Sequence, residues 1–327
     1  MFKSISFGLC FFLVACTSQP SSTTENHESS MPSVPLADVS QVRSQYQRTT
    51  FKKRLAICPV CQGNGCSLCQ NTGGLWGYID WTYGYCYVEG MGLANGIGGQ
   101  QTLLAKKAAE VTTHRHAIQL LQEMTVEEQQ PLGAERAESW YSNILGSAEL
   151  LSDQSQKFLE RQQTVHFRTI RFPFLGTSGL THHLYPQYQG QSQSKSGESL
   201  GTQERYSYVV IDARGKTISP ALFPKIWAEE GTLVWDFLEV SKSTLFERGS
   251  ILYVSERSSE LEKSSYRSAL TVPSFVRTSS QWNPLKIQAH ANTRSYQTDI
   301  VIRQEDAETL LANGRLLRSA QIVVLLD

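Results

Sequence analysis

Four cysteines, Cys58, Cys61, Cys66 and Cys69, form the pattern C-x-x-C-x4-C-x-x-C. Each C-x-x-C turn can offer two sulfurs to one ion, and Zn²⁺ takes four thiolates tetrahedrally at about 2.3 Å. Glycines at 63, 65, 73 and 74 permit positive φ and a backbone folded tightly round an ion. Pro59 stiffens the first turn, and Lys52, Lys53 and Arg54 stand just upstream, where they can offset the charge of a Zn(Cys)₄ centre. Such a zinc is structural, because protein sulfur fills every position and none stays open for a substrate. Two rivals remain. An oxidising compartment favours two disulfides, and C-x-x-C motifs also serve as redox sites because they depress thiol pKa. Gly63 and Gly65 oppose the helix that follows a redox pair, and Gln62 and Gln70 stand where c-type haem attachment needs histidine.

The stretch "CPVCQGNG" resembles one C-x-x-C-x-G-x-G repeat of the cysteine-rich module of DnaJ-type co-chaperones. "CSLCQNTG" matches the cysteines and the last glycine but carries Asn71 for the first. The family uses four repeats and two zinc ions; two repeats suffice for one ion, and no J-domain signature precedes them. The resemblance implies metal ligation by the four cysteines, not chaperone activity.

Other reactive residues invite plainer readings. Cys86, between Tyr85 and Tyr87, reads as a small buried hydrophobe. Asp212 and Arg214 end an apolar strand, a possible interaction or structural site where the two pair or satisfy turn groups. His114 borders the apolar stripe of a long helix and His116 is expected to face away. His182 and His183 lie in a polar segment and read as solvated. No nucleophile stands beside an identifiable base, and no G-x-S-x-G, P-loop, HExxH or dinucleotide-binding pattern occurs, so a non-enzymatic protein is expected.

The elements that position these residues divide the chain. "GYIDWTYGYCYVEGMG" reads as two strands about Tyr83-Gly84. Leu104, Ala108, Val111, Ile118 and Leu121 recur at helical spacing, a shorter helix covers Ala134 to Asn143, and "QTVHFRTIRFPFL" reads as a strand. Further on, Val209 to Ile211 suit a buried strand, and Ile226 to Ala228 with Leu233 to Trp235 a hairpin. "TDIVI", "QEDAETLLANG" and "AQIVVLLD" read as strand, helix ending near Gly314, and strand, a spacing that permits a parallel crossover. Residues 238–281 give no clear pattern.

The first residues, "MFKSISFGLCFFLVAC", combine Lys3 with an apolar run too short to span a bilayer, as in a signal peptide. Leu13-Val14-Ala15-Cys16 resembles the bacterial lipobox, which implies acylation of Cys16. Thr17 in place of aspartate then favours the outer membrane. Boundaries follow: 1–15 signal peptide; 16–50 disordered tether rich in Ser, Thr, Gln and Pro; 51–76 cysteine-rich zinc-knuckle-like module; 77–174 an α+β domain; 175–204 a low-complexity linker; 205–327 a C-terminal α+β domain. Thirty basic residues balance thirty acidic ones, so no nucleic-acid partner is expected, and no small-molecule substrate is evident.

"IDWTYGYCYVEGMG" and "LLAKKAAEVTTHRHAIQLLQEM" resemble the small Lpp-type lipoproteins and the N-terminal part of flagellar assembly protein T. Arg115 fits that group's helix end, where His116 replaces an asparagine. "VVIDARGKTISPALFPKIWAEEG" and the closing "DAETLLANGRLLRSAQIVVLLD" resemble a companion region of the same larger proteins. The resemblance implies an envelope protein without enzymatic activity, held at the periplasmic face of the outer membrane by its lipid. It would bind other envelope proteins as a structural or assembly part, in a flagellar setting or elsewhere. The alternative is an envelope chaperone or thiol-handling factor acting through the C-x-x-C pairs.

Overall fold

Two glycines on one strand set the N-terminal architecture. The computed structural model describes residues 50–128, 130–188, 206–255, 283–290 and 297–326. Cys16, the signal and nearly all of the tether lie outside these residues. Strands β1 (Thr50–Ile57), β2 (Gly74–Asp80) and β3 (Tyr85–Asn95) lead to helix α1 (Gly99–Gln122). A small pair, β4 (Thr125–Glu127) and β5 (Gln130–Pro131), then helix α2 (Ala134–Ile144), precede β6 (Glu149–Phe158) and β7 (Gln163–Pro173). The large sheet runs β1-β2-β3-β7-β6 and is antiparallel throughout.

Helix α1 lies across this sheet over Gly90 and Gly92. A Cβ at Gly90 would stand 2.0 Å from Thr113 Oγ1 and 2.8 Å from the Ala109 carbonyl; at Gly92, 2.1 Å from the Ala105 carbonyl. Backbone meets backbone, so the buried face of α1 is made of small residues: Ala105, Ala109, Thr113 and Ala117, with His116, Leu120 and Leu121. Of the stripe that the sequence pattern picks, Leu121 is buried and Ile118 half-buried against the core, but Leu104 and Val111 are 56% and 58% exposed. His116 is likewise corrected: it faces inward, buried, with Nδ1 2.7 Å from the Glu89 carbonyl. A carbonyl only accepts, so Nδ1 carries the proton.

A short helix α3 (Leu180–Leu184) follows, then β8 (Tyr208–Asp212), β9 (Ile226–Ala228), β10 (Leu233–Trp235) and α4 (Lys242–Arg248). The chain continues through β11 (Leu252–Ser255), β12 (Pro284–Gln288), β13 (Ile300–Ile302), α5 (Gln304–Ala312), α6 (Gly314–Arg318) and β14 (Ile322–Leu326). One sheet has the order β11-β14-β8-β12, all parallel, with β14 buried at every residue. Such continuous apolar strands are what a parallel sheet covered on both faces requires. The expected hairpin is present as β9 and β10. Strands β13 and β14 fall in different sheets, since β13 pairs with β9, so the single-sheet crossover that their spacing permits does not form. Helix α5 ends next to Gly314 as expected, with Asn313 as its C-cap, and Gly314 also opens α6.

One apolar core joins both halves, from Ile79, Val88 and Phe172 through Trp235 and Tyr253 to Leu317 and Val324. Trp81 packs edge-on against Phe174 at 5.1 Å and Tyr253 at 6.1 Å. Backbone bonds cross the seam: Leu222 N–H donates to the Thr125 carbonyl at 3.1 Å and Phe223 N–H to that of Val126 at 2.8 Å. The first part of the expected linker belongs to this core, since Leu180 and Leu184 of α3 are fully buried. Of its histidines, His182 is exposed, as expected, with its ring 4.6 Å from that of Phe246, and His183 is half-buried, 5.4 Å from Trp140. The remainder, 189–204, lies outside the described residues. The fold is α+β, with helices and several small sheets. Among the described residues no helix is long and apolar enough to cross a membrane.

Candidate metal centre

Residues 58–73 form a loop between paired strands. β1 and β2 are in register up to Ile57 opposite Gly74, and Cys58 N–H donates to the Gly73 carbonyl at 3.0 Å, one step beyond the ladder. The expected boundary between residues 76 and 77 therefore falls inside β2. Within the loop the chain folds the same way twice. Gln62, Gly63 and Gly65 have φ of 50°, 97° and 86°; Gln70, Asn71 and Gly73, eight residues on, have 49°, 60° and 67°. Asn71 can replace the first glycine of its repeat because asparagine tolerates the left-handed region better than other residues with a side chain. Gly73 is stricter: a Cβ there would sit 2.2 Å from the Gly63 carbonyl oxygen, where the two repeats cross.

This folding gathers the four sulfurs within 4.8 Å of one another. Sγ of Cys58 lies 3.8 Å from that of Cys66, Cys61 3.7 Å from Cys69, and Cys66 3.6 Å from Cys69. A tetrahedron of sulfurs about 2.3 Å from a central ion has edges of roughly 3.8 Å. Disulfide sulfurs stand about 2.05 Å apart, and none of these cysteines is bonded to another. The donor set thus fits a metal ion and does not form the two-disulfide alternative.

Backbone groups tune the thiols. Burial pushes Cys58 up to about 12 and raises Cys66. Burial also acts against Cys69, but hydrogen bonds from the Cys66 N–H, the Cys66 thiol and the Gly73 N–H pull it down to about 6. Cys58 and Cys66 hold their protons more tightly than ordinary thiols, and a bound cation must displace them.

The loop packs on the sheet face opposite α1. Met91 pairs with Phe167 and Leu93 with Val165 across β3 and β7, alternating with the glycines that face the helix. These four residues and Leu75 form an apolar cluster with Cys58 and Cys69, joined by Val60 and Leu68 from the loop. Arg161, at the turn between β6 and β7, donates through Nη1 to the Val60 carbonyl at 3.2 Å. Upstream, Lys52 stacks over Trp76 at 4.2 Å and Lys53 pairs with Glu123.

The other candidates stand apart from this centre. Arg214 grips Asp212 in a fork, Nε to Oδ1 at 2.8 Å and Nη2 to Oδ2 at 2.6 Å, and holds that carboxyl below its ordinary value. The pair closes the end of β8, a structural arrangement. Cys86 is fully buried in the main core. Sequence reasoning missed one constellation: Ser155, His166 and Asp153 meet on β6 and β7 through contacts of 2.6 Å. Only the register of that hairpin brings them together, and the polar segment "ELLSDQSQKF" does not announce a strand.

Among curated proteins the chain finds no match. Residues 208–327, from the start of β8 to the end of the chain, match the family described as Treponema pallidum Tp0624, second domain.

Proposed function

We propose that Cys58, Cys61, Cys66 and Cys69 hold one structural Zn²⁺, and that the protein is a lipid-anchored envelope component which works by binding other proteins. Three sulfur separations of 3.6–3.8 Å, near the edges of a ZnS₄ tetrahedron, with all four sulfurs within 4.8 Å of one another, carry the metal reading. The ion supplies charge neutralisation and a cross-link, and the chain's own contribution is to shape and shield the cage. Cys58 and Cys69 are fully buried, and Val60 and Leu68 turn toward the sheet. A client-binding lobe would present such side chains outward, so the geometry supports a staple over a chaperone or thiol-handling site. The staple fixes the lobe to the sheet face that α1 leaves uncovered.

The envelope assignment rests on the sequence ending in Cys16 and on the resemblance to Lpp-type and flagellar assembly lipoproteins. It is tested by fractionating cells that express Cys16→Ala beside the wild-type chain. The expected result is wild type in the outer-membrane fraction and the variant released in soluble form from the periplasm. A variant that stays fully membrane-bound contradicts the anchor.

A further inference from the structure

At the edge of the large sheet formed by the described residues, β6 carries Asp153 and Ser155, two residues apart and so on one face. His166 of β7 is directly opposite Ser155, and on its other side opposite Gly92 of β3. Gly92 has no side chain, which leaves the imidazole room beneath α1, where it is 3% exposed. Its Nε2 lies 2.6 Å from Asp153 Oδ1 and its Nδ1 2.6 Å from Ser155 Oγ. Lys106 of α1 reaches the second carboxylate oxygen, Oδ2, at 2.6 Å. Burial works against the Asp153 charge, but hydrogen bonds from Lys106 and His166 hold this carboxyl below its ordinary value.

The proton positions follow from these contacts. An ionised carboxylate only accepts, so Nε2 of His166 carries the hydrogen. In the neutral ring Nδ1 is then an acceptor, and the Ser155 hydroxyl donates to it. A hydroxyl bonded to a base, with the base oriented by a carboxylate, here the half-buried Asp153, is the arrangement that activates a serine nucleophile. The base is buried while Ser155 itself is exposed on an edge strand, open to an incoming group.

We propose that Ser155 is a nucleophile, activated by His166 and oriented through Asp153, that accepts acyl groups from esters presented at this sheet edge. Oγ bonds to the carbonyl carbon as its proton passes to Nδ1. The carbon–oxygen bond to the leaving group breaks, and the alcohol departs with that proton. Water then attacks the acyl-serine, gives a proton to Nδ1, and releases the carboxylic acid as Oγ regains its hydrogen. This site lies apart from the cysteine loop and goes beyond the binding role proposed above.

The test uses the full chain, a fluorophosphonate probe and peptide mapping by mass spectrometry. Oγ displaces fluoride at phosphorus and leaves a stable adduct. One adduct on Ser155 is expected in the folded protein and none after denaturation. Ser155→Ala abolishes it at an unchanged melting temperature. His166→Gln slows labelling by about 10²–10⁴-fold, the usual contribution of a general base. Asp153→Asn, which disturbs the tautomer but leaves the histidine, slows it as well and serves if His166→Gln does not fold. A merely structural tie between α1 and the hairpin yields no adduct in the wild type. That outcome, an adduct only on other residues, or Ser155 labelling unchanged in the folded His166 or Asp153 variant overturns the proposal.

Discussion

Replacing Gly73 by alanine leaves all four sulfurs in place and tests whether the two cysteine repeats cross as described. The added Cβ would lie 2.2 Å from the Gly63 carbonyl oxygen and 2.9 Å from its carbon, with φ at +67°. Ordinary carbon contacts fall at about 3.5–4.0 Å, and the obstacle is backbone that no rotamer change can clear. Left-handed backbone costs a residue with a Cβ about 1–2 kcal/mol, and overpacking adds about 1–3 kcal/mol. Together these predict about 2–5 kcal/mol, or roughly 30-fold to several-thousand-fold weaker metal binding at 1.4 kcal/mol per factor of ten. Gly63→Ala is the control: its nearest heavy atom is 3.8 Å away, so only the backbone term applies. It should weaken binding by roughly 5- to 30-fold. Asn71→Gly, which restores the regular repeat at φ 60°, should change little. Competition against a chromophoric chelator, with each variant at one fixed pH, reads all three. Equal losses for Gly73→Ala and Gly63→Ala would refute the crossing.

Two further predictions concern the body of the protein. Chelation of the metal should uncover Met91, Leu93, Val165 and Phe167 to an apolar dye while amides of β8 and β14 stay protected, because the loop cluster and the main core are separate; loss of that protection in step with the metal would show them coupled. His116 is held below its ordinary pKa, chiefly by burial, despite its hydrogen bond to the Glu89 carbonyl. The unfolded chain therefore takes this proton more readily, so stability is full above about pH 6.5 and falls as pH drops below that toward the folded value. His116→Gln should flatten the acid limb of melting temperature against pH, and an unchanged limb would contradict the assignment.

Much of the site was legible because C-x-x-C spacing is local: the turns that aim the sulfurs lie within the residues that carry them. What the loop rests on was not legible, since β1 and β2 pair across it and Met91 and Val165 come from strands far apart in sequence. Helix α1 shows the same division. Its span follows from an uninterrupted pattern without glycine or proline, but its buried face does not follow from the large apolar residues. That face was chosen by Gly90 and Gly92 of β3, which admit alanine and threonine closely and leave Leu103 and Leu104 outside. β6 escaped notice because an edge strand can be polar on its exposed surface, and with it went the juxtaposition of Ser155 and His166. The partners of β13 and β14 were likewise set by tertiary pairing, which strand-helix-strand spacing alone does not determine.

The most direct test of the central claim is X-ray absorption at the zinc edge, with metal content and thiol count, on the mature protein isolated from its native envelope without reductant. The account predicts one zinc per chain, four sulfur neighbours at about 2.3 Å, and the clustered thiols protected until a chelator is added. No metal, with the four cysteines oxidised to two disulfides, would contradict it.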